Sequence, residues 1–148
     1  MKLTPHFTLE EMTFPEVAAR HDLDNAADSI VTANLRLLAG LMEKIRAVLG
    51  NKAIVVHSGY RSAAVNRAVG GVDTLAHCHG LACDFVCPAF GTPSQVALAT
   101  LGSEVEYDQL ILEYGWVHVG LAQAGSACRR QVLTKRSPSS AYEAGIRV

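Results

Sequence analysis

From Thr32 onward the apolar residues Leu35, Leu38, Met42, Ile45 and Leu49 recur at alternating steps of three and four. That spacing matches the 3.6-residue turn of an α-helix and gathers all five side chains on one stripe. The spacing therefore predicts a helix over residues 32–49, ended by Gly50. A helix with one apolar stripe must bury it against another layer of secondary structure, and the rest of the chain has to supply that layer.

The remaining signals are shorter. Thr8 followed by Glu11 is a capping-box pattern that opens a brief helix. Residues 21–29, beginning at His21, are polar and turn-like. Residues 53–57 (AIVVH) are β-branched and bounded by turn formers, so they read as a strand. Ser62 caps a short helix running to Val69 and stopped by Gly70 and Gly71, which read as a turn together with Asn66. Residues 82–87 form a second strand closed by Pro88, and Pro93 suits the first turn of a helix over residues 94–101. Residues 107–113 and 116–121 read as two further strands joined at Tyr114-Gly115. Helices come mostly first and strands cluster later, so the expected class is α+β, with helices on one face of a small, mainly antiparallel sheet.

At 148 residues the chain fits a single domain spanning residues 1–148, with residues 134–148 unassigned. With 49% apolar and 18% charged residues it should fold rather than stay disordered. A net charge of -1 gives no reason to expect nucleic acid or an anionic membrane as partner. Arg36, Glu43, Lys44 and Arg46 interrupt the longest apolar stretch, so no membrane insertion is expected. Residues 1–11 show no signal-peptide pattern, which predicts synthesis in a cytoplasm. A monomer is expected. The four cysteines, Cys78, Cys83, Cys87 and Cys128, form no CxxC pair and read as small buried hydrophobes.

The segment HCHGLACD, residues 77–84, carries the chemistry, together with the later Trp116-Val117-His118. Two imidazoles and one carboxylate make the ligand set of a catalytic zinc site, which keeps a fourth position for water. If residues 82–87 and 116–121 are adjacent strands, Asp84 and His118 meet on one face and His77 approaches from the loop before them. His79 stands two residues from His77 and reads as a neighbour outside the ligand set. His57 precedes SGYR at a strand end.

The pattern H-x-x-G-x-A-x-D at His77, Gly80, Ala82 and Asp84, the upstream SGYRS at residues 58–62 and the later WVH resemble the D-alanyl-D-alanine metallopeptidases. That group includes zinc D-Ala-D-Ala carboxypeptidases, vancomycin-resistance dipeptidases and phage endolysins that cut L-alanyl-D-glutamate bonds, and it shares its fold with the hedgehog N-terminal domain. The resemblance runs from about Phe7 to Leu133 and takes in residues 66–71 and RRQVL at residues 129–133. It implies His77, Asp84 and His118 as zinc ligands, and Arg61 as the arginine that binds substrate and helps polarise the scissile carbonyl. A guanidinium offers a rigid charged fork suited to that task. Ser58 and Tyr60 are implied as assisting hydrogen-bond donors.

Several relatives carry a glutamate three residues before the last histidine, where this chain has Gly115. Glu113 is the nearest carboxylate and the candidate general base; Asp108 is the alternative. Leu75 and Leu81 replace a usual serine and a frequent glutamate, changes that bear on packing or specificity rather than on the metal. The implied function is a zinc peptidase whose partner is the peptidoglycan stem peptide, acting on the cell wall after release or export. Its type is either a D-Ala-D-Ala carboxypeptidase or an L-alanyl-D-glutamate endopeptidase. Gly115 leaves one reading from another class, a catalytically inactive module that keeps the fold and binds wall peptide or serves as a phage structural piece.

Overall fold

Asp28, itself extended, accepts a hydrogen bond from Val31 N–H on its carboxylate at 2.8 Å, which starts the long helix at Ser29, three residues before the expected start at Thr32. A computed structural model of the chain describes residues 1–14, 22–68 and 75–148, with only the backbone of Leu75. The expected helix end at Val69, the Gly70-Gly71 turn and His21 lie outside the described residues.

The strands are β1 (Lys2–Thr4), β2 (Phe7–Thr8), β3 (Val55–Ser58), β4 (Ala82–Val86), β5 (Gln109–Leu112), β6 (Val117–Gly120), β7 (Gln131–Thr134) and β8 (Glu143–Ala144). The helices are α1 (Leu9–Thr13), α2 (Ser29–Val48), α3 (Ala63–Ala68), α4 (Leu75–Cys78) and α5 (Pro93–Leu101). Leu35, Leu38, Met42 and Ile45 of α2 are fully buried, while Ile30 and Leu37 on its outer side are exposed. The helix stops where Gly50 turns to φ 74° and donates to Ala47 O, a backbone conformation that costs glycine least. Thr8 and Glu11 close the capping box on α1, and Thr92 with Gln95 closes a second on α5, where Pro93 takes the first turn.

Six strands form one sheet in the order β3-β4-β6-β5-β7-β8. All pairings are antiparallel except β5 with β7, so the expected class and sheet are borne out. β1 and β2 form a separate pair. Residues 134–148, unassigned from the sequence, close the sheet edge: Thr134 Oγ1 donates to Gly145 O and accepts from Arg147 N–H.

Side chains alternate across a strand, and residues paired between strands share a face. Val56, Cys83, Phe85, Val117, Val119, Leu110, Leu112 and Val132 join the core with the apolar stripe of α2 and with Val96 and Ala97 of α5. Burying a large apolar side chain of this kind stabilises the fold by about 1.5–3 kcal/mol. The opposite face presents a cross-strand row, Ser58↔Asp84, Asp84↔His118, His118↔Ile111 and Ile111↔Leu133. This second face carries the site.

Candidate metal centre

β4 and β6 set Asp84 directly opposite His118 in antiparallel register. The third residue arrives on a single helical turn, α4, whose His77 is completely buried. Gly80 follows at φ 72°, and a Cβ there would stand 3.0 Å from Val31 O of α2, so only glycine lets the chain turn so tightly into β4.

His77 Nδ1 lies 2.6 Å from Gly59 O. A carbonyl oxygen only accepts, so the proton sits on Nδ1 and the lone pair is on Nε2. That lone pair faces Asp84 Oδ1 at 3.3 Å, and His118 Nδ1 reaches the same oxygen at 2.9 Å. The two rings meet edge to face with centroids 5.2 Å apart. Nε2 of His77 is buried without a hydrogen-bond partner, although it faces a carboxylate. A lone pair aimed at an anionic oxygen is satisfied by a cation between them. One donor atom from each of His77, Asp84 and His118 lies within 4.8 Å of the others, and all three residues are buried. The set could therefore hold a metal ion, and two nitrogens with one carboxylate oxygen fit zinc.

The charges agree with that reading. Burial pushes His77 below its ordinary value, with Asp84 opposing, so the ring favours its neutral, ligating form. Burial alone would push the Asp84 carboxyl up, but the charges and hydrogen bonds of His77 and His118 outweigh it and keep the group ionised.

Arg61 stands on the Asp84 side, with Nη2 3.8 Å from Asp84 Oδ2 and a buried Nε that has no partner. Its backbone N–H donates to His77 O at 3.1 Å, tying the SGYRS loop to α4. Asn25 holds that loop from below: Nδ2 donates to Thr13 O at 2.7 Å and to Tyr60 O at 3.0 Å, while Oδ1 accepts from Ser62 N–H at 2.7 Å. The backbone on both sides of Arg61 is thus clamped by one buried amide. Ser58 lies opposite Asp84 and its hydroxyl is buried without a partner. Tyr60 is placed differently: its ring packs against the core rather than in the cross-strand row.

Glu113 follows Leu112 on β5 and falls by alternation on the same face as Ile111, the partner of His118. Trp116 Nε1 donates to its Oε2 at 3.0 Å. Burial pushes the Glu113 carboxyl up and the charge of Asp84 adds to the effect, while His118, Trp116 and Lys135 oppose it. Asp108 is elsewhere. It precedes β5 at the other end, and Arg129 engages it from Nε at 3.0 Å, from Nη2 at 2.8 Å and from its backbone N–H at 2.9 Å.

His57 and His79 are exposed, and His79 O accepts from Asn34 Nδ2. Cys83 and Cys87 are buried as expected, but Cys78 is only partly buried and Cys128 is exposed, so the reading of all four as buried hydrophobes is corrected. Cys128 falls in the irregular stretch before β7, where the chain runs over the surface.

Asn25 and Gly59 were not singled out by sequence reasoning. Asn25 lies in a segment without apolar period, and its partners are 12, 35 and 37 positions away. Gly59 falls inside SGYRS, but its carbonyl contact with His77 spans 18 positions.

No curated protein matches the chain. The family model for Peptidase M15 matches residues 5–120, a span holding all three buried ligand candidates, Arg61 and Glu113. The chain therefore belongs to the Peptidase M15 family, the D-Ala-D-Ala carboxypeptidase-type zinc peptidases.

Proposed function

We propose that this protein is a zinc peptidase that hydrolyses peptide bonds in the stem peptides of peptidoglycan, of D-Ala-D-Ala carboxypeptidase or L-alanyl-D-glutamate endopeptidase type. The observation that carries the reading is the buried convergence of His77 Nε2, Asp84 Oδ1 and His118 Nδ1, with the His77 tautomer set by Gly59 O. His77, Asp84 and His118 would hold zinc, which would supply a Lewis acid and lower the pKa of a water nucleophile toward neutrality.

The side chains around the ligands divide the remaining work. Glu113, its carboxyl raised by burial, accepts a proton from the attacking water and returns it to the leaving nitrogen. Arg61 stabilises the negative charge that grows on the carbonyl oxygen, for which its fixed charge and unpartnered Nε suit it. Ser58 offers a free hydroxyl to the substrate backbone. Tyr60 supports the loop through its core packing. Asp108, held by Arg129, belongs to the sheet edge.

The enzyme acts on the cell wall, and no helix among the described residues is long and apolar enough to cross a membrane. Metal analysis of purified protein, with peptidoglycan digestion resolved by mass spectrometry, tests the proposal. About one zinc per chain is expected, with most of it lost in His118→Ala, and the product masses separate the two bond types. Full zinc occupancy in His118→Ala would overturn the ligand set. A zinc-loaded wild type that cuts no wall material from several bacteria would leave the wall-peptide binding module as the reading.

A further inference from the structure

A second cross-strand row lies beside the ligand row on the same face of the sheet. β5 and β7 run parallel in the register Ile111↔Leu133 and Leu112↔Thr134, and the ladder continues as Lys135 N–H donates to Leu112 O at 2.8 Å. Glu113 and Lys135 are therefore neighbours, two residues past Ile111 and Leu133. The pairing of Thr134 with Glu143 brings Tyr142 alongside Lys135, whose ammonium sits 4.3 Å from the centre of the Tyr142 ring. On the other flank Trp116 donates to Glu113. The row reads Trp116, Glu113, Lys135, Tyr142, and none of the four is fully buried.

The two carboxylates nearest Lys135 in this ladder are occupied elsewhere. Glu113 turns to Trp116, and Glu143 accepts from Arg136 Nε at 2.6 Å. Among the described residues Lys135 has no carboxylate within ion-pair distance, while its ammonium is steadied by an aromatic face. Arg61 lies at the Asp84 end of the other row. The site face thus offers one cation near the ligands and a second on the far side of Glu113.

We infer that Lys135, propped on Tyr142, is a carboxylate-binding subsite that takes a free carboxylate on the residue bearing the leaving nitrogen. The inference rests on Glu113 returning the proton to that nitrogen, which places the leaving residue over Glu113. A carboxylate on the same residue then lies a few ångströms further along, close to the roughly 4.8 Å that separates neighbouring strands. Lys135 is the next group in that direction. Both Lys135 and Tyr142 fall beyond the residues matched by the family model, so the subsite is built by the C-terminal segment of this chain.

The test is equilibrium binding to the zinc-loaded full chain. The probes are acetyl-D-alanyl-D-alanine and acetyl-L-alanyl-D-glutamate, each N-methylated at the scissile amide so that it binds without being consumed, and each compared with its carboxamide. Wild type is expected to bind the carboxylate form of at least one probe about tenfold more tightly than the amide, the scale of one charge-assisted contact. The probe that shows the preference identifies the source of the carboxylate. Lys135→Met should bring the ratio to within about twofold, and Lys135→Arg should retain most of it. An unchanged ratio in Lys135→Met with a wild-type melting temperature, or no preference in wild type, would overturn the inference. Failure of the peptidase reading shows separately, as an intact preference in a protein that leaves the unmethylated dipeptides uncut.

Discussion

Replacing Gly59 by alanine should damage fold and site together. A Cβ at position 59 would stand 2.4 Å from Met12 O, 3.1 Å from Met12 C and 3.2 Å from Met12 Cα. These are backbone atoms, so no side chain can swing aside, and α1 and the SGYRS loop must part by more than half an ångström. Met12 is fully buried, which pins α1 against the core and leaves the SGYRS loop to move. Two bonds lie at that point: Tyr60 N–H to Met12 O at 2.8 Å and His77 Nδ1–H to Gly59 O at 2.6 Å. Overpacking a tight contact costs about 1–3 kcal/mol, and each weakened hydrogen bond adds about 0.5–1.5 kcal/mol.

The expected loss is therefore about 2–6 kcal/mol. At about 2–4 °C per kcal/mol for a chain of this size, Gly59→Ala should melt about 4–24 °C below wild type. The same shift removes the acceptor that fixes the His77 tautomer, and losing such an outer partner typically costs about 10–100-fold in metal affinity. Thermal unfolding of the metal-free protein reads the first effect and competitive zinc titration the second. A variant that melts within about 2 °C of wild type and binds zinc equally well would refute both the contact and its coupling to His77.

Glu113→Gln should keep its zinc while hydrolysis falls at least about a hundredfold, whereas Asp108→Asn should keep its hydrolysis; measuring stem-peptide cleavage by the two variants side by side decides between them. Asn25→Ala leaves Thr13 O, Tyr60 O and Ser62 N–H without their side-chain partner and should cost about 2–4 kcal/mol in urea unfolding. Its effect on turnover should largely vanish in an Arg61→Lys background, since Asn25 acts on the loop that carries Arg61. The hydrogen bonds from Arg129 hold the Asp108 carboxyl below its usual range, so that pair stabilises the fold above the unfolded value of about 3.9 and is lost as pH falls through the folded value. Because Arg129 is largely exposed, the contribution is at most about 1 kcal/mol. The stability gap between wild type and Asp108→Asn should thus be constant near neutrality and close under acid, as denaturant titrations at several pH values would read.

The parts of this fold that were legible in the sequence are those with a local period or a local cap. The α2 stripe, the capping box of α1, Pro93 in the first turn of α5, and the strands that meet at Tyr114-Gly115 each show a signal within a few residues. The start of α2 was missed because its first turn is set by the Asp28 carboxylate rather than by an apolar residue. β7 and β8 were missed because they are four and two residues long and become strands only by pairing with β5 and with each other. In the candidate site, His77, Asp84 and His118 were picked out by residue type together with the resemblance of their motif to the metallopeptidases, and the structure brings the three together. Sequence could not choose between Glu113 and Asp108, since both lie on the same short segment; the structure puts Glu113 beside Trp116 on the face of Asp84 and His118, and Asp108 at the other end of β5 with Arg129.

One irregularity in β3 explains how its pairing with β4 serves both the core and the candidate metal centre. β3 pairs Val56 with Phe85 and Ser58 with Asp84, so His57 is an extra residue between two ladder steps. Without that bulge, strict alternation would put His57 opposite Asp84 and turn Ser58 toward the core. With it, Val56 still packs on the core beside Phe85, Ser58 stands opposite Asp84, and His57 projects to solvent. A bulge also bends its strand and sharpens the twist. The chain leaving β3 turns at Gly59 toward α1, and the Gly59 carbonyl meets His77. The single inserted residue therefore sets three things the site depends on: the hydroxyl opposite Asp84, the carbonyl that fixes the His77 tautomer, and the direction in which the loop carries Arg61.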